Sequence, residues 1–477
     1  MSAEPAGIRE LLEDLAAKLT PELTEGALST DPDVVSSHAR DEAPFAAVGT
    51  ALALVRARTV QDVQATLRWA SRHRVPVVPQ GARSGISGGA NAVDGCLLLS
   101  VERMDRILQV NAAEQTVTVE PGIINQDLKD ALAPHGLSYP PDPGSVAISS
   151  IGGNLATNAG GLCCVKYGVT RDYVREIAVV LADGTLTRLG TKTAKGVAGL
   201  DLCRLFVGSE GTLGVIVEAT LRLVPLLPPP LTAVATFPNA RAAASTVAEF
   251  MGAGARPSLM ESMDRISLDL LNRFGDFGLD EQAGALLLMQ SDGDGVAAEA
   301  AREVAEFAAV AERNQALDVA FSDDPEDSDA LVAARRMAHP AFERYSHDHG
   351  GGQLLDDVCL PRTRIPEFYD RLDVVRERTG LMIAVVAHAG DGNMHPAVFF
   401  DAADQESVRL AHEAFDEIMA IGLELGGTIT GEHGVGSLKS GWLARELDEG
   451  SRHLHRVIKD AVDPLGILNP TKQFAAL

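Results

Sequence analysis

Apolar positions in this chain repeat at two periods, and the alternation between them outlines its elements. Residues 8–19 carry apolar side chains at helical spacing and predict a short amphipathic helix. From Ala51 onward, strand and helix patterns take turns. Strands are expected over 51–56, 75–79, 96–101, 116–119 and 214–224. Helices are expected from the Thr59 cap to His73 and over 123–133, and a hairpin over 177–189 turns at Asp183-Gly184. Leu226-Leu227-Pro228-Pro229-Pro230 then stops both patterns, because consecutive prolines enforce an extended spacer. Beyond it the pattern resumes: strands at 232–237, 285–290 and 382–386, and helices from Ala240 and over 296–313. Asp323-Asp324-Pro325-Glu326-Asp327 reads as a solvated loop leading into a helix N-terminus. Together these patterns predict an α+β protein.

Composition narrows the picture. A chain of 477 residues is too long for one ordinary core, so two or three domains are expected. Apolar and charged fractions of 46% and 22% are those of a soluble globular protein. The formal net charge of −25 excludes a nucleic-acid partner and requires a local positive site for any acidic substrate. The five cysteines form no CxxC pair, which argues against a thiolate-bound cluster, and their odd number fits a reducing cytoplasm. No apolar stretch reaches the roughly 20 residues of a membrane span, and Met1–Pro5 lack the features of a signal peptide. A cytoplasmic protein is expected, with peripheral membrane association left open.

Three glycine-rich segments carry candidate chemistry. The first, Pro79-Gln80-Gly81-Ala82-Arg83-Ser84-Gly85-Ile86-Ser87-Gly88-Gly89-Ala90, can turn consecutive amides toward one anion, although by itself it reads equally as a tight turn. It has neither GxGxxG nor Walker A spacing. The second comprises Gly144-Ser145 and then Gly152-Gly153-Asn154 through Thr157-Asn158-Ala159-Gly160-Gly161. The third is Gly208-Ser209-Glu210-Gly211-Thr212-Leu213-Gly214-Val215-Ile216. Three such loops in one domain imply a long polar ligand, with the amides of Asn154 and Asn158 suited to hydrogen bonds.

A different chemistry is written in the second half. His388-Ala389-Gly390-Asp391-Gly392-Asn393-Met394-His395 follows an apolar strand. A fully extended chain would separate the two histidines by roughly 23 Å. The Gly-Asp-Gly turn lets the chain reverse and bring the imidazoles together, the plainer alternative being two polar residues on a hairpin rim. Gly431-Glu432-His433-Gly434-Val435-Gly436 follows a helix end at Gly426-Gly427. His388, His395 and Glu432 make a two-histidine, one-carboxylate set that leaves coordination positions open. It suits a divalent metal, with zinc first and iron(II) or manganese as alternatives. Asp391 is read as shaping the turn rather than as a ligand.

The three glycine segments, in their order, resemble the FAD-binding domain of the vanillyl-alcohol oxidase flavoprotein superfamily. The histidine and glutamate segments resemble the C-terminal domain of FAD-linked D-2-hydroxy-acid dehydrogenases, which include the glycolate oxidase flavin subunit and cytochrome-type D-lactate dehydrogenase. The resemblance implies an N-terminal helical segment over 1–45 and a two-subdomain FAD-binding domain over 46–225. It further implies a substrate and metal-binding cap domain with an antiparallel sheet over 231–465, and a tail over 466–477 returning to the FAD domain. FAD contacts are implied for Gly81, Ala82, Arg83, Ser84 and Gly85 at the pyrophosphate, for Gly152, Gly153, Asn154, Thr157, Asn158 and Gly160 around ring and ribityl chain, and for Glu210, Gly214 and Ile216 on the adenine side. Pro79, Ser87, Gly144 and Ser145 are implied as further FAD contacts. The tail Asp463-Pro464-Leu465-Gly466-Ile467-Leu468-Asn469-Pro470-Thr471-Lys472 fits the family and would bring Asn469 and Lys472 toward FAD. Relatives with covalent FAD use a histidine in the first loop; Arg83 and Ser84 stand here, which implies non-covalent FAD.

The resemblance also implies a reaction: FAD-dependent oxidation of a small D-2-hydroxy acid to the 2-oxo acid, with metal-assisted removal of the hydroxyl proton and hydride transfer to flavin N5. His433 takes the role of general base, with pairing to Glu432 as its plainer alternative, and Arg335, in Ala333-Ala334-Arg335-Arg336, that of carboxylate binder. The relative specific for 2-hydroxyglutarate has a lysine where this chain has Leu355 and an asparagine where it has Ala397. Both departures favour a monocarboxylate such as D-lactate or glycolate, with D-2-hydroxyglutarate as an alternative. A non-catalytic FAD-binding subunit of a multi-subunit oxidase, an ether-lipid synthase of the same superfamily and a metal hydrolase are the competing readings. No nicotinamide, haem or cluster motif is present, so electrons are expected to pass to an external acceptor: a quinone, a cytochrome, an electron-transfer flavoprotein or an iron–sulfur partner subunit. A homodimer is the expected assembly.

Overall fold

The computed structural model describes residues 6–226 and 228–477. Met1–Pro5, read above for a leader, and Leu227, in the proline-rich boundary, lie outside the described residues. The chain divides into two compact units, the first comprising residues 1–159, 169–226 and 432–477, the second 160–168 and 227–431.

The first unit holds two larger sheets and a two-stranded one, in which Val224–Pro225 pairs with Leu137–Ser138. One has four strands in the order Leu28–Ser29, Ala53–Arg56, Leu97–Ser100, Val77–Gln80, the last three parallel. Parallel strands are covered on both faces, which is why Leu97–Ser100 is buried throughout. The other sheet is antiparallel, in the order Ile107–Asn111, Thr116–Val119, Val215–Arg222, Val174–Val180, Leu186–Gly190. Helix Val60–His73 opens on a capping box in which Thr59 and Asp62 satisfy each other's backbone. Its Val63, Leu67 and Trp69 pack in one core with Val55 and Leu99 of the first sheet and Val180 and Val217 of the second.

The second unit is built on eight strands. Seven run in the order Asp318–Ser322, Leu231–Phe237, Ala285–Ser291, Leu259–Asp264, Met382–His388, Asn393–Asp401, Gly351–Leu355, and Val358–Cys359 pairs beside the last on Asn393–Asp401. All neighbours are antiparallel. Because side chains alternate between faces, Leu259, Met263, Leu288, Ala384, Val386, Ala397 and Phe399 share one face, and helices Arg265–Phe274 and Ala338–Asp348 cover it with Leu268, Leu271, Ala341 and Phe342. The other face, with Ser262 and Leu287, meets helix Ala240–Gly252 at Ala243 and Val247.

Near the N-terminus Leu28–Ser29 is an edge strand of the first sheet, and Leu15 and Leu19 are buried in its core. Residues 432–465 group with the first unit. There Lys459 Nζ reaches the carbonyls of Thr212 (2.7 Å) and Leu468 (2.9 Å). Residues 151–157, read as a loop, form a helix whose N-cap Ser150 accepts from the Gly153 amide. Residues 160–168 leave the first unit through a loop closed by Thr170, which donates to the Ala159 carbonyl, and Lys166 and Tyr167 both bond Asp292 of the second unit. These are long-range pairings that hydrophobic periodicity does not encode.

Candidate active site

In the first unit the three glycine segments bond one another. Ser150 Oγ accepts from the Ala82 amide (3.2 Å), and a Cβ on Gly81 would come within 2.5 Å of that oxygen. Only glycine permits this approach. The Gly208 and Glu210 amides donate to the carbonyls of Leu155 (2.9 Å) and Ala156 (2.8 Å), and Gly211, at φ +71°, lies against the Pro79 ring. Around Gly144 the space is open. This small-residue cradle fits a long cofactor running over backbone.

The structure gives several cofactor candidates other partners. Asn154 Oδ1 accepts from Asn125 Nδ2 (3.0 Å), and Asn158, left-handed at the helix end, accepts from the Arg171 amide (2.9 Å). Thr157 Oγ1 donates to the Gly153 carbonyl, and Gly152 is pressed against Pro121. Arg83 Nη1 stands 3.4 Å from Glu102, the Gly85 carbonyl accepts from Glu42, and the Ser87 carbonyl accepts from Ser437 and Leu438. Ser145 accepts from the amides of Ile148 and Ser149. Gly214 packs against Val179 and Phe206, and Ile216 is a strand residue opposite Val179. Gly160 belongs to the second unit.

Glu210 has a task the sequence did not reveal. Its two carboxylate oxygens accept from the amides of Val435 and Gly436, each at 2.7 Å. Burial pushes this carboxyl up to about 7, against the pull of the two amides. The tail joins the same network: Leu468 bridges Val77 in parallel, and Asn469 Nδ2 donates to the carbonyls of Gly89 (2.9 Å) and Glu210 (2.7 Å). Lys472 is buried, and desolvation holds its ammonium below its ordinary range despite Asp41 and Glu210.

In the second unit the two histidines meet. His388 ends one strand and His395 lies on the next, across a turn in which Gly392 adopts φ +83°. Pairing Val386 with His395 and His388 with Asn393 puts both imidazoles on the face of Ala384 and Ala397. Their ring centroids are 5.0 Å apart, with ligand nitrogens within 4.8 Å of each other. Both are buried. His388 Nδ1 contacts both oxygens of Glu261, at 2.8 and 2.9 Å, and Arg335 Nη2 reaches the same carboxylate at 2.9 Å. Asp357 Oδ1 is 3.6 Å from His395 Nδ1. Asp391 sits in the turn, where its carbonyl receives the Cys359 thiol.

Glu261 and Asp357, both wholly buried, escaped the sequence reading. The available signal was a carboxylate inside an apolar strand, Leu259-Met260-Glu261-Ser262-Met263, and the pair Asp356-Asp357. Asp357 Oδ2 accepts from Thr430 Oγ1 (2.7 Å) and the Gly431 amide (3.0 Å), and a Cβ at Gly431 would overlap Asn393. Glu432 follows by one peptide bond. In the first unit His433 Nε2 lies 3.8 Å from Glu432 Oε1, ahead of Gly434 at φ +84°.

A glycine-lined cradle in one unit and a buried imidazole–carboxylate–guanidinium cluster in the other define a two-domain flavoprotein oxidoreductase. Residues 51–190 match the FAD binding domain and residues 230–473 the C-terminal domain of FAD linked oxidases, and the chain belongs to this family. It is 39% identical to the glycolate oxidase subunit GlcD of Bacillus subtilis, over 89% of each chain. It is 33% identical to the mitochondrial D-lactate dehydrogenase [cytochrome] of Arabidopsis thaliana, over 94% of this chain and 78% of that one. Among solved structures, 4-ethylphenol oxidase from Gulosibacter chungangensis superposes with a TM-score of 0.80 at 19% identity, covering 99% of this chain and 98% of the other. The fold is thus the vanillyl-alcohol oxidase type, and the protein is an FAD-dependent enzyme. Among the described residues no helix is long and apolar enough to cross a membrane.

Proposed function

We propose that this enzyme oxidises a small D-2-hydroxy acid, D-lactate or glycolate before others, to the 2-oxo acid. FAD is held non-covalently by the loops around Gly81, Gly144, Gly153 and Glu210. A divalent metal, zinc first, is held by His388, His395 and Glu432. The observation that carries the reading is the buried histidine pair with its nitrogens within 4.8 Å. Two buried imidazoles with carboxylate partners are the donor chemistry such a metal requires. Gly431, held by Asp357 and Asn393, directly precedes Glu432 in the chain, which supports Glu432 as the third ligand.

Bound in these places, FAD would supply a hydride acceptor and a divalent metal would supply Lewis acidity toward the substrate hydroxyl. The protein's own groups do the rest. Arg335 holds the substrate carboxylate: it is buried, and its Nε finds no acceptor among the described residues. His433 takes the hydroxyl proton at an imidazole nitrogen. Leu355 and Ala397 offer nothing to a second carboxylate, which supports a monocarboxylate. Relatives named as oxidase subunits support passage of electrons to an external acceptor, in a partner subunit or in a quinone, cytochrome or electron-transfer flavoprotein.

Anaerobic flavin bleaching against a panel of D- and L-2-hydroxy acids, with and without a chelator, tests the whole. Bleaching by D-lactate or glycolate that the chelator abolishes is expected. A flavin that no 2-hydroxy acid reduces would remove the assignment.

A further inference from the structure

One carboxylate in the second unit serves two functional groups at once. Glu261 is fully enclosed, on the sheet face it shares with Phe399 and that Leu268 and Phe342 cover. An anion in such an apolar layer is costly unless paired, and an apolar residue of its size would pack there at lower cost. Its oxygens face the Nδ1 of His388 at 2.8 and 2.9 Å and the Nη2 of Arg335 at 2.9 Å. A carboxylate is an acceptor only, so it selects the His388 tautomer with hydrogen on Nδ1 and the lone pair on Nε2. The same contact fixes one edge of the guanidinium, while Arg335 Nε has no acceptor among the described residues.

We propose that Glu261 is the positioning residue that couples metal binding to substrate-carboxylate binding: it sets His388 as an Nε2 ligand and aims Arg335 through Oε2, one of the same two oxygens. The inference rests on the metal reading given above. Glutamine at 261 offers one acceptor and one NH2 group; the NH2 favours the other His388 tautomer, and the remaining oxygen cannot serve both partners.

The test is zinc titration of chelator-stripped, FAD-loaded protein by calorimetry, with FAD content measured in parallel. Glu261→Gln is expected to weaken zinc binding about 10- to 100-fold at unchanged FAD content. Glu261→Asp, which keeps the anion, recovers part of the loss and carries the test if the glutamine variant does not fold. In a His388→Ala background Glu261→Gln adds little, since the two act on one ligand. At saturating zinc the KM for D-lactate still rises about tenfold in Glu261→Gln, through Arg335. Zinc affinity within twofold of wild type in Glu261→Gln, even with a lowered Tm, overturns the coupling and leaves the metal reading standing. Wild-type protein that takes up no zinc overturns both.

Discussion

Leu355 and Ala397 lie directly opposite each other on the antiparallel strands Gly351–Leu355 and Asn393–Asp401. Ala397 is two residues beyond His395, on the same face, so this pair borders the histidines. By the resemblance, these are the two positions where the 2-hydroxyglutarate-specific relative carries lysine and asparagine, and under the proposed function their pairing would make them one wall of the substrate site. The double variant Leu355→Lys/Ala397→Asn is therefore expected to raise kcat/KM for D-2-hydroxyglutarate over D-lactate by about tenfold or more, since a hydrogen-bonded carboxylate contributes on the order of 1.5–3 kcal/mol. Ala397 is fully buried, so the larger side chain also costs about 1–3 kcal/mol of stability. An unchanged substrate ratio in a folded double variant would count against this wall.

Arg335→Lys separates recognition from chemistry. Lysine keeps the charge but loses the planar fork, and it cannot face Glu261 and a carboxylate with fixed geometry. KM for D-lactate should rise about 10- to 100-fold while kcat changes less. Steady-state kinetics at saturating acceptor checks this; an unaltered KM removes Arg335 from substrate binding.

His433→Ala should leave FAD bound and slow flavin reduction by about 10³-fold, the usual contribution of a general base. Stopped-flow bleaching with D-lactate reads it directly. Near-normal reduction would return His433 to a supporting contact with Glu432, 3.8 Å away.

Glu210 predicts a pH signature. Its folded value of about 7 lies above the ordinary 4.5. Between these values the folded protein retains a proton that the unfolded chain has released. Its stability contribution is therefore complete below about pH 4.5 and is lost as pH rises toward 7. The change is about 3 kcal/mol at most. Melting curves from pH 4.5 to 8 should show a slope in wild type that Glu210→Gln flattens. Because the same carboxylate holds the Val435 and Gly436 amides, that variant should also slow flavin reduction about tenfold, through a looser His433 loop. Parallel pH slopes would refute the titration.

Much of this protein was legible along the chain. Thr59 announced its helix, Asp183-Gly184 its hairpin, and the prolines from 228 the passage between units, because caps, turns and breakers are local physics. The Gly390-Asp391-Gly392 turn between apolar strands implied the approach of His388 to His395, since a tight hairpin leaves the chain few alternatives. What local pattern could not decide was which distant groups share a site. Glu261 meets His388 across 127 residues and Glu210 meets Val435 across 225. Each is a carboxylate of ordinary appearance in the sequence, and only removal from water, enforced by the packed sheet and loops around it, turns it into an acceptor that must be paired.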